Sequence, residues 1–210
     1  MRGGLVAAVL LAGLACVAPV AAQQPSLRDS LDLARAVAGD GRAARDPLAL
    51  IVAARLRRDL AMTRRDDAAP RGAPSAADLA RLDAPQTLVA EAKRLARGRS
   101  AIVALADEIL ATGEKGRERG PLYDIGKLAA GGREAYDNMR FVAGRRAEVY
   151  VEGVLKLALV VRDADGRTIC ADDAGGPVAY CWWTQARDGA VRIELLNRAG
   201  VDNAYRMVTN

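Results

Sequence analysis

Two hydrophobic periodicities divide the chain into a helical part and a stranded part. Between residues 26 and 112, apolar positions recur three or four residues apart, which is typical of amphipathic helices. From residue 147 onward, apolar and polar positions alternate, and a period of two predicts strands with one buried face. The sequence therefore predicts an α+β fold: a small α-helical N-terminal segment followed by an antiparallel β-sandwich, jelly-roll-like in type.

Capping and breaking residues bound the predicted helices. Four helices are predicted, and they cover approximately residues 26–38, 46–60, 85–98 and 100–113. Asp46 is a suitable N-cap for the second helix, with Pro47 at its first position. The core-facing stripe of this helix is predicted to comprise Leu48, Ile51, Val52, Arg55, Leu56 and Leu60. Residues 66–75 contain two prolines and a glycine, and they predict a loop.

In the second half, alternation predicts strands over residues 147–152, 155–162 and 191–196. Asp165-Gly166 and Asp188-Gly189 predict hairpin turns, because glycine accepts a positive φ without a Cβ clash. The chain is therefore divided into residues 1–22, a helical segment at 23–112, a linker and entry to the sandwich at 113–135, and the sandwich at 136–210.

The first 22 residues have the features of a secretory signal peptide. Arg2 is followed by an apolar run over residues 5–17 and by small residues that end at Ala22. Cys16 leaves open a lipoprotein alternative, in which this cysteine is lipidated instead of removed. We expect a periplasmic or secreted protein that is not an integral membrane protein after signal cleavage, because no second long apolar run follows.

Composition limits the chemistry that the chain can perform. The 210 residues carry a net charge of +5 and contain no histidine, which excludes Ser-His-Asp and Cys-His catalysis and histidine-ligated metals. No serine lies in a GxSxG or SxxK context. We therefore expect no catalytic residue, no enzyme activity and no cofactor, and export argues against a nucleic-acid partner.

After removal of the signal peptide, two cysteines remain. Cys170 and Cys181 both lie in the predicted sandwich, and an exported chain favours a disulfide between them. The alternative, a catalytic or metal-binding thiol pair, lacks both the CxxC spacing and a histidine.

Four aspartates lie near one predicted end of the sandwich. Asp163, Asp165, Asp172 and Asp173 could hold calcium, since hard cations prefer oxygen ligands. The spacing does not follow an EF-hand, and aspartate is an ordinary turn residue, so the turn interpretation is preferred and no metal site is assigned.

Aromatic residues supply the candidate ligand surface. Trp182 and Trp183 are adjacent, so a strand places them on opposite faces, one in the core and one on a sheet surface. We expect a ligand to meet the sandwich around Trp182, Tyr150 and Tyr180, although structural roles for both tryptophans remain open.

Residues 120–210 carry a string of motifs that includes GP at 120–121, RFVAG at 140–144, VYVEG at 149–153, LALVVRDADG at 157–166, CWWT at 181–184 and NAYRMVTN at 203–210. This part of the chain resembles the bacterial pre-peptidase C-terminal domain family. The resemblance implies a small β-sandwich without catalytic residues of its own, usually appended to secreted proteases and other exported enzymes. The roles that it implies are secretion, solubility or the binding of a surface or substrate.

The chain departs from that family at one motif. The family often carries an alternating acidic run before its central strand, where this chain has Val154, Lys156 and Ala158. A cation-binding role tied to those carboxylates is therefore not expected, and no peptidase domain precedes the motifs in this sequence.

Together these features predict a non-catalytic exported envelope protein, a binding or accessory module that acts through its β-sandwich on an unknown envelope glycan or protein. The alternative is a carboxylate-dependent hydrolase with its site between the helical and stranded halves. Two partly buried carboxylates with raised pKa values in that cleft would favour the hydrolase, and a basic or aromatic surface would favour binding.

Overall fold

A computed structural model describes residues 26–65, 72–111 and 120–210. The helices in these ranges are α1 (Leu27–Ala44), α2 (Pro47–Asp59), α3 (Ala76–Ala80), α4 (Pro85–Ala96) and α5 (Ser100–Ala111). The strands are β1 (Thr63–Arg64), β2 (Leu122–Leu128), β3 (Arg133–Phe141), β4 (Arg146–Gly153), β5 (Leu157–Arg162), β6 (Thr168–Asp172), β7 (Val178–Thr184), β8 (Gly189–Asn197) and β9 (Asn203–Thr209). No helix within these ranges is both long and apolar enough to cross a membrane. The segment 1–22, with its predicted signal peptide and Cys16, lies outside the described residues.

Side-chain caps fix where the first two helices begin. Ser26 accepts from the backbone N–H of Asp29, whose carboxylate accepts in return from the backbone N–H of Ser26, so α1 starts with a capping box. The Asp46 carboxylate accepts from the backbone N–H of Leu48, with Pro47 at the first helical position as predicted. Helix α1 runs six residues beyond the predicted end near residue 38 and stops where Arg45 adopts the left-handed conformation.

The predicted core-facing stripe of α2 is wrong for part of its length. Leu48 and Val52 are exposed, whereas the buried positions of the helix are Pro47, Leu50, Ile51, Ala53, Ala54 and Arg57. The arginine on the buried face is Arg57 and not Arg55, which is exposed beside Asp59. In this orientation Arg57 reaches a carboxylate partner in the sandwich, Glu152.

Two sheets packed face to face form the sandwich, and the expected α+β fold is confirmed. Sheet A has the strand order β1-β2-β9-β4-β7, and sheet B has the order β3-β8-β5-β6. The pairs are antiparallel except for β1 with β2, where a short strand from the helical segment joins the edge of sheet A in parallel. Strand β2 lies within residues 113–135, the segment that the sequence indicated as linker and entry.

The core between the sheets is apolar and aromatic. Phe141 contacts Trp183 edge to face, with ring centroids 4.9 Å apart. The hydroxyl groups of Tyr136 and Tyr205 lie 2.7 Å apart across the core. The helices α1, α2, α4 and α5 form a second core of alanine, leucine and isoleucine side chains on the other side of sheet A.

One of the two predicted hairpins is confirmed. Gly166 has a φ of 80° in the turn that joins the antiparallel strands β5 and β6. The prediction for Asp188-Gly189 is wrong, because this segment carries the chain from β7 in sheet A to β8 in sheet B. An Asp-Gly dipeptide indicates a turn, but it does not indicate whether the next strand belongs to the same sheet.

Candidate functional site

The helical segment covers the outer face of sheet A. Along β4 this face carries Arg146, Glu148, Tyr150 and Glu152, the polar half of the alternation seen in the sequence. Tyr150 is fully buried there and donates a hydrogen bond from its hydroxyl to Asp32 of α1, at 2.7 Å. The face that the alternation predicted to meet solvent is therefore an interface between the two halves of the protein.

A buried charge cluster joins the halves. Arg57 of α2 donates to both carboxylate oxygens of Glu152 in β4, at 2.7 Å each. Arg206 of β9 donates through one guanidinium nitrogen to Glu152 and to the backbone carbonyl of Leu82, also at 2.7 Å. All three charged side chains are almost completely inaccessible to solvent. The cluster ties α2, the α3–α4 connection and two strands of sheet A together.

The two arginines keep Glu152 ionised. Burial alone raises the pKa of the Glu152 carboxyl, but the attraction and hydrogen bonds of Arg57, together with the charge of Arg206, outweigh it and hold that pKa below its ordinary value. A carboxylate in this state is a poor proton donor near neutral pH. Glu152 therefore lacks the raised pKa that a carboxylate-dependent hydrolase between the two halves requires.

Beside this cluster a cleft of about 250 Å³ opens between α1, the α3–α4 connection and the end of β4. Arg35, Arg42 and Arg81 line it, together with Asp83 and Glu152. Arg42 is paired with Asp83 at 2.6 Å and with Glu91 at 2.9 Å. Neither Arg35 nor Arg81 forms an ion pair with any carboxylate in the described ranges. The cleft is thus rich in positive charge.

The cleft continues into a wider groove of about 640 Å³ along one side of α4. Arg42 and Arg81 line both spaces, and the groove adds Gln86, Thr87 and Arg94. Residue Ala84 at the N-cap of α4 makes no side-chain cap. The first N–H groups of α4 therefore have no side-chain acceptor at the N-cap.

The three aromatic candidates lie in two different environments. Tyr150 and Tyr180 are buried against α1, and their rings join Leu27, Leu31 and Val208 in one apolar cluster. The guanidinium of Arg28 lies 5.1 Å from the Tyr180 ring centroid. Both tyrosines thus contact the helical segment, whereas Trp182 is 53% exposed.

Trp182 forms a platform near one end of β7. The Arg146 guanidinium lies over its ring, 4.5 Å from the centroid. Arg146 is held in turn by a 3.1 Å hydrogen bond to the Tyr180 hydroxyl and a 3.2 Å ion pair with Glu148. The Tyr180 hydroxyl donates to Glu148 at 2.6 Å, and burial followed by this hydrogen bond raises the pKa of Tyr180. These contacts fix the cation in place beside the exposed ring.

The predicted cysteine pair is bonded. Cys170 of β6 and Cys181 of β7 form a disulfide with a Cα–Cα distance of 5.8 Å. Because β6 belongs to sheet B and β7 to sheet A, the bond links the edges of the two sheets. It is a structural cross-link of the sandwich.

The four candidate aspartates stabilise turns or form ion pairs. Asp163 accepts from the backbone N–H groups of Asp165 and Arg167, and Asp172 accepts from those of Ala174 and Tyr180. Asp165 and Asp173 pair with Arg167 and Arg198. Among the described residues, no group of three or more potential metal ligands is gathered in one place.

Comparison with known proteins gives similarity of structure alone. Neither a protein-family model nor a curated protein matches the sequence. Among solved structures, the chain is similar to the pre-peptidase C-terminal domain of a collagenase from Bacillus anthracis, at 13% identity over 42% of this chain and 87% of that one, with a TM-score of 0.37. It is also similar to PliG of Aeromonas hydrophila, a periplasmic inhibitor of g-type lysozyme, at 14% identity over 47% and 93%, with a TM-score of 0.36. We draw no functional conclusion from likenesses of this degree.

Sequence patterns missed the cleft and its charge cluster. Arg35, Arg57 and Arg206 look like ordinary surface residues in helices and strands, and Glu152 occupies a polar position of an alternating strand. Two acidic residues on the same face of β4, four positions apart, are the available signal. The burial of Glu148 and Glu152 depends on where the helices dock, and the hydrophobic periodicity of the sequence does not predict the docking.

Proposed function

We propose that this chain is a non-catalytic binding module, exported to the bacterial envelope, that holds a glycan against the Trp182 platform of its β-sandwich. The observation that carries the proposal is the contrast between adjacent tryptophans: Trp183 is 8% exposed in the core, while Trp182 is 53% exposed. A large, rigid aromatic ring on a sheet surface offers an apolar face on which a ligand can stack.

The surroundings of Trp182 favour a sugar over an apolar partner. The register places Arg146 of β4 opposite Thr184 of β7, next to the indole on the same face. A sugar ring offers an apolar face for stacking and hydroxyl groups for hydrogen bonds. Guanidinium N–H groups and a hydroxyl beside the ring supply donors and an acceptor at the rim.

Export of the protein is supported by its disulfide, since such bonds persist in oxidising compartments. The absence of histidine and the ionised state of Glu152 support a binding role over a hydrolytic one. The leader expected at residues 1–22 completes this proposal, and a reduced, uncleaved protein in the cytosol would contradict it.

Co-sedimentation with insoluble glycans tests the binding function. The chain from residue 23 onward is mixed with purified peptidoglycan sacculi and, separately, with chitin, and the bound fraction is measured. We expect Trp182→Ala to lower the apparent affinity roughly fivefold or more, taking as a guide the value of about 1–3 kcal/mol for a nucleobase stacked on an aromatic side chain. Trp182→Phe should retain part of the binding.

Val201→Ala is the matched control, since Val201 is also an exposed apolar residue, at 59%. Its binding should equal that of the unmodified chain. Equal binding by the Trp182→Ala variant, or no binding to either polymer, would contradict the glycan proposal. Capture of an envelope protein that depends on Trp182 would instead assign this surface to a protein partner.

A further inference from the structure

We infer that the arginine-lined cleft between the helical segment and the sandwich binds a small soluble oxyanion ligand, one that carries a phosphate or carboxylate group. This site is separate from the Trp182 platform. Arg146 and Glu152 mark the two sites and lie six residues apart on β4, which corresponds to about 20 Å along a strand. The inference does not depend on glycan binding.

The charge balance around the cleft is the first observation. Six arginines and three carboxylates line the cleft and its groove or lie directly behind the cleft wall. The arginines are Arg35, Arg42, Arg57, Arg81, Arg94 and Arg206. The carboxylates of Asp83 and Glu91 are engaged by Arg42, and Glu152 is engaged from behind by two arginines. The positive charge that remains is concentrated at the cleft and its mouth.

Arg35 of α1 is the arginine on which the inference chiefly depends. It is half-buried on α1, it lines the cleft, and no carboxylate of the described ranges pairs with it. Its charge adds to the larger effects of Arg57 and Arg206 that lower the pKa of Glu152, and it opposes the burial that raises the pKa of Tyr150, so the guanidinium lies close to the charge cluster. A half-buried guanidinium is stabilised by an anion that accepts two parallel hydrogen bonds, and both carboxylate and phosphate do so.

Gly39 provides an independent observation. It lies within α1, where glycine costs about 1 kcal/mol relative to alanine, and it lines the cleft. A Cβ at this position would meet no atom within 4 Å, so packing does not require glycine here. The absence of a side chain keeps this wall of the cleft open.

The groove at the mouth indicates what the rest of the ligand is like. The side of α4 that lines the groove offers Gln86 and Thr87 as polar contacts and Arg94 as a further cation. With about 250 Å³ in the cleft and about 640 Å³ in the groove, the site suits a small polar molecule with its anionic group inward.

Titration calorimetry on the chain from residue 23 onward tests this inference, with inorganic phosphate and succinate as probes in buffers of equal ionic strength. We expect binding of at least one probe in the low millimolar range or tighter. Arg35→Gln should weaken it roughly tenfold or more, in line with the loss of a charged hydrogen-bonding group. Gly39→Phe should abolish it by filling the cleft while leaving every charge in place.

Arg167→Gln is the matched control, because Arg167 is an exposed arginine in the β5–β6 turn, far from the cleft in sequence and element. It should bind like the unmodified protein. Circular dichroism and denaturant unfolding establish that each variant is folded. Phosphate binding without succinate binding would assign a phosphate group, the reverse would assign a carboxylate, and binding of both would assign a general oxyanion site.

Three results would overturn the inference. One is that neither probe binds the unmodified protein. Another is that a folded Gly39→Phe variant binds as well as the unmodified protein. The third is that Arg167→Gln weakens binding as much as Arg35→Gln does, because the attraction would then be a general effect of net charge. None of these results bears on the glycan co-sedimentation, so the two proposals fail separately.

Discussion

Arg57 of α2 and Glu152 of β4 form a two-pronged ion pair with both nitrogen–oxygen distances at 2.7 Å, in a place that water does not reach. The partners are 95 residues apart in sequence, and each belongs to a different half of the protein. The pair therefore couples the docking of the helices to the folding of the sandwich. Removal of one partner leaves the other charge buried, which is the costly event for such pairs.

Arg57→Met should lower the free energy of unfolding by about 3 kcal/mol, because breaking a buried pair costs ~3–5 kcal/mol and Arg206 still compensates part of the Glu152 charge. Guanidinium denaturation followed by circular dichroism measures it. Lys93→Met is the control, since the Lys93–Asp107 pair is exposed and its loss should cost under about 1 kcal/mol. Equal losses in the two variants would show that burial of the Arg57 pair contributes nothing.

Acid should weaken the same interface. The pKa of the Glu152 carboxyl is lower in the folded protein than in the unfolded chain, so its contribution is present above the unfolded value of about 4.3 and disappears as the pH falls through the lower folded value. We expect Glu152→Gln to be less stable at neutral pH and to lose less stability between neutral pH and acid than the unmodified protein. Unfolding curves across this range measure the difference.

Glu194→Gln is the control for that experiment. Its carboxyl also has a lowered pKa, caused first by a hydrogen bond from Arg192, but the side chain is partly exposed and solvent screens it. The acid sensitivity of this variant should stay close to that of the unmodified protein. A Glu152→Gln variant with unchanged acid sensitivity would contradict the role assigned to the buried carboxylate.

The disulfide should stabilise the fold by the amount expected for the short loop that it closes. Replacement of both Cys170 and Cys181 by alanine should cost about 3 kcal/mol on the chain-entropy estimate for a separation of 11 residues. Denaturation with and without a reductant provides the measurement. The reductant should destabilise the unmodified protein and leave the double variant unchanged; mass spectrometry showing two free thiols in the exported protein would refute the bond.

The fold was predictable from sequence wherever neighbouring residues of a single element determine its structure. The Asp46 cap, the Pro85 helix start and the Asp165-Gly166 hairpin all depend on neighbouring residues, and the structure has each of them. The rotation of α2 and the burial of Glu152 depend on which faces dock, and local patterns do not contain that information. For the candidate site, adjacency correctly separated Trp182 from Trp183, while the arginine cleft exists only because two distant halves meet.

Truncation of the two adjacent tryptophans should cost very different amounts of stability. Trp183→Ala should cost about 3–5 kcal/mol, since it removes a core ring that contacts Phe141 and donates to Gln185. Trp182→Ala should cost under about 1 kcal/mol, the value of an exposed cation–π contact with Arg146. Thermal and denaturant unfolding compare them directly, and a similar loss in both would mean that Trp182 is a structural residue and not a ligand platform.

Two glycines in α1 should respond oppositely to substitution by alanine. At Gly39 a Cβ meets open space, so Gly39→Ala should raise the free energy of unfolding by about 0.5–1 kcal/mol through helix propensity. At Gly41 a Cβ would lie 3.0 Å from the Cβ of Ala49, which cannot turn away because it is fixed to the α2 backbone. Gly41→Ala should therefore destabilise the protein by about 1 kcal/mol or more, since overpacking costs ~1–3 kcal/mol and exceeds the propensity gain. Denaturation midpoints of both variants measure these effects, and a stabilised Gly41→Ala protein would show that α1 and α2 can separate without loss.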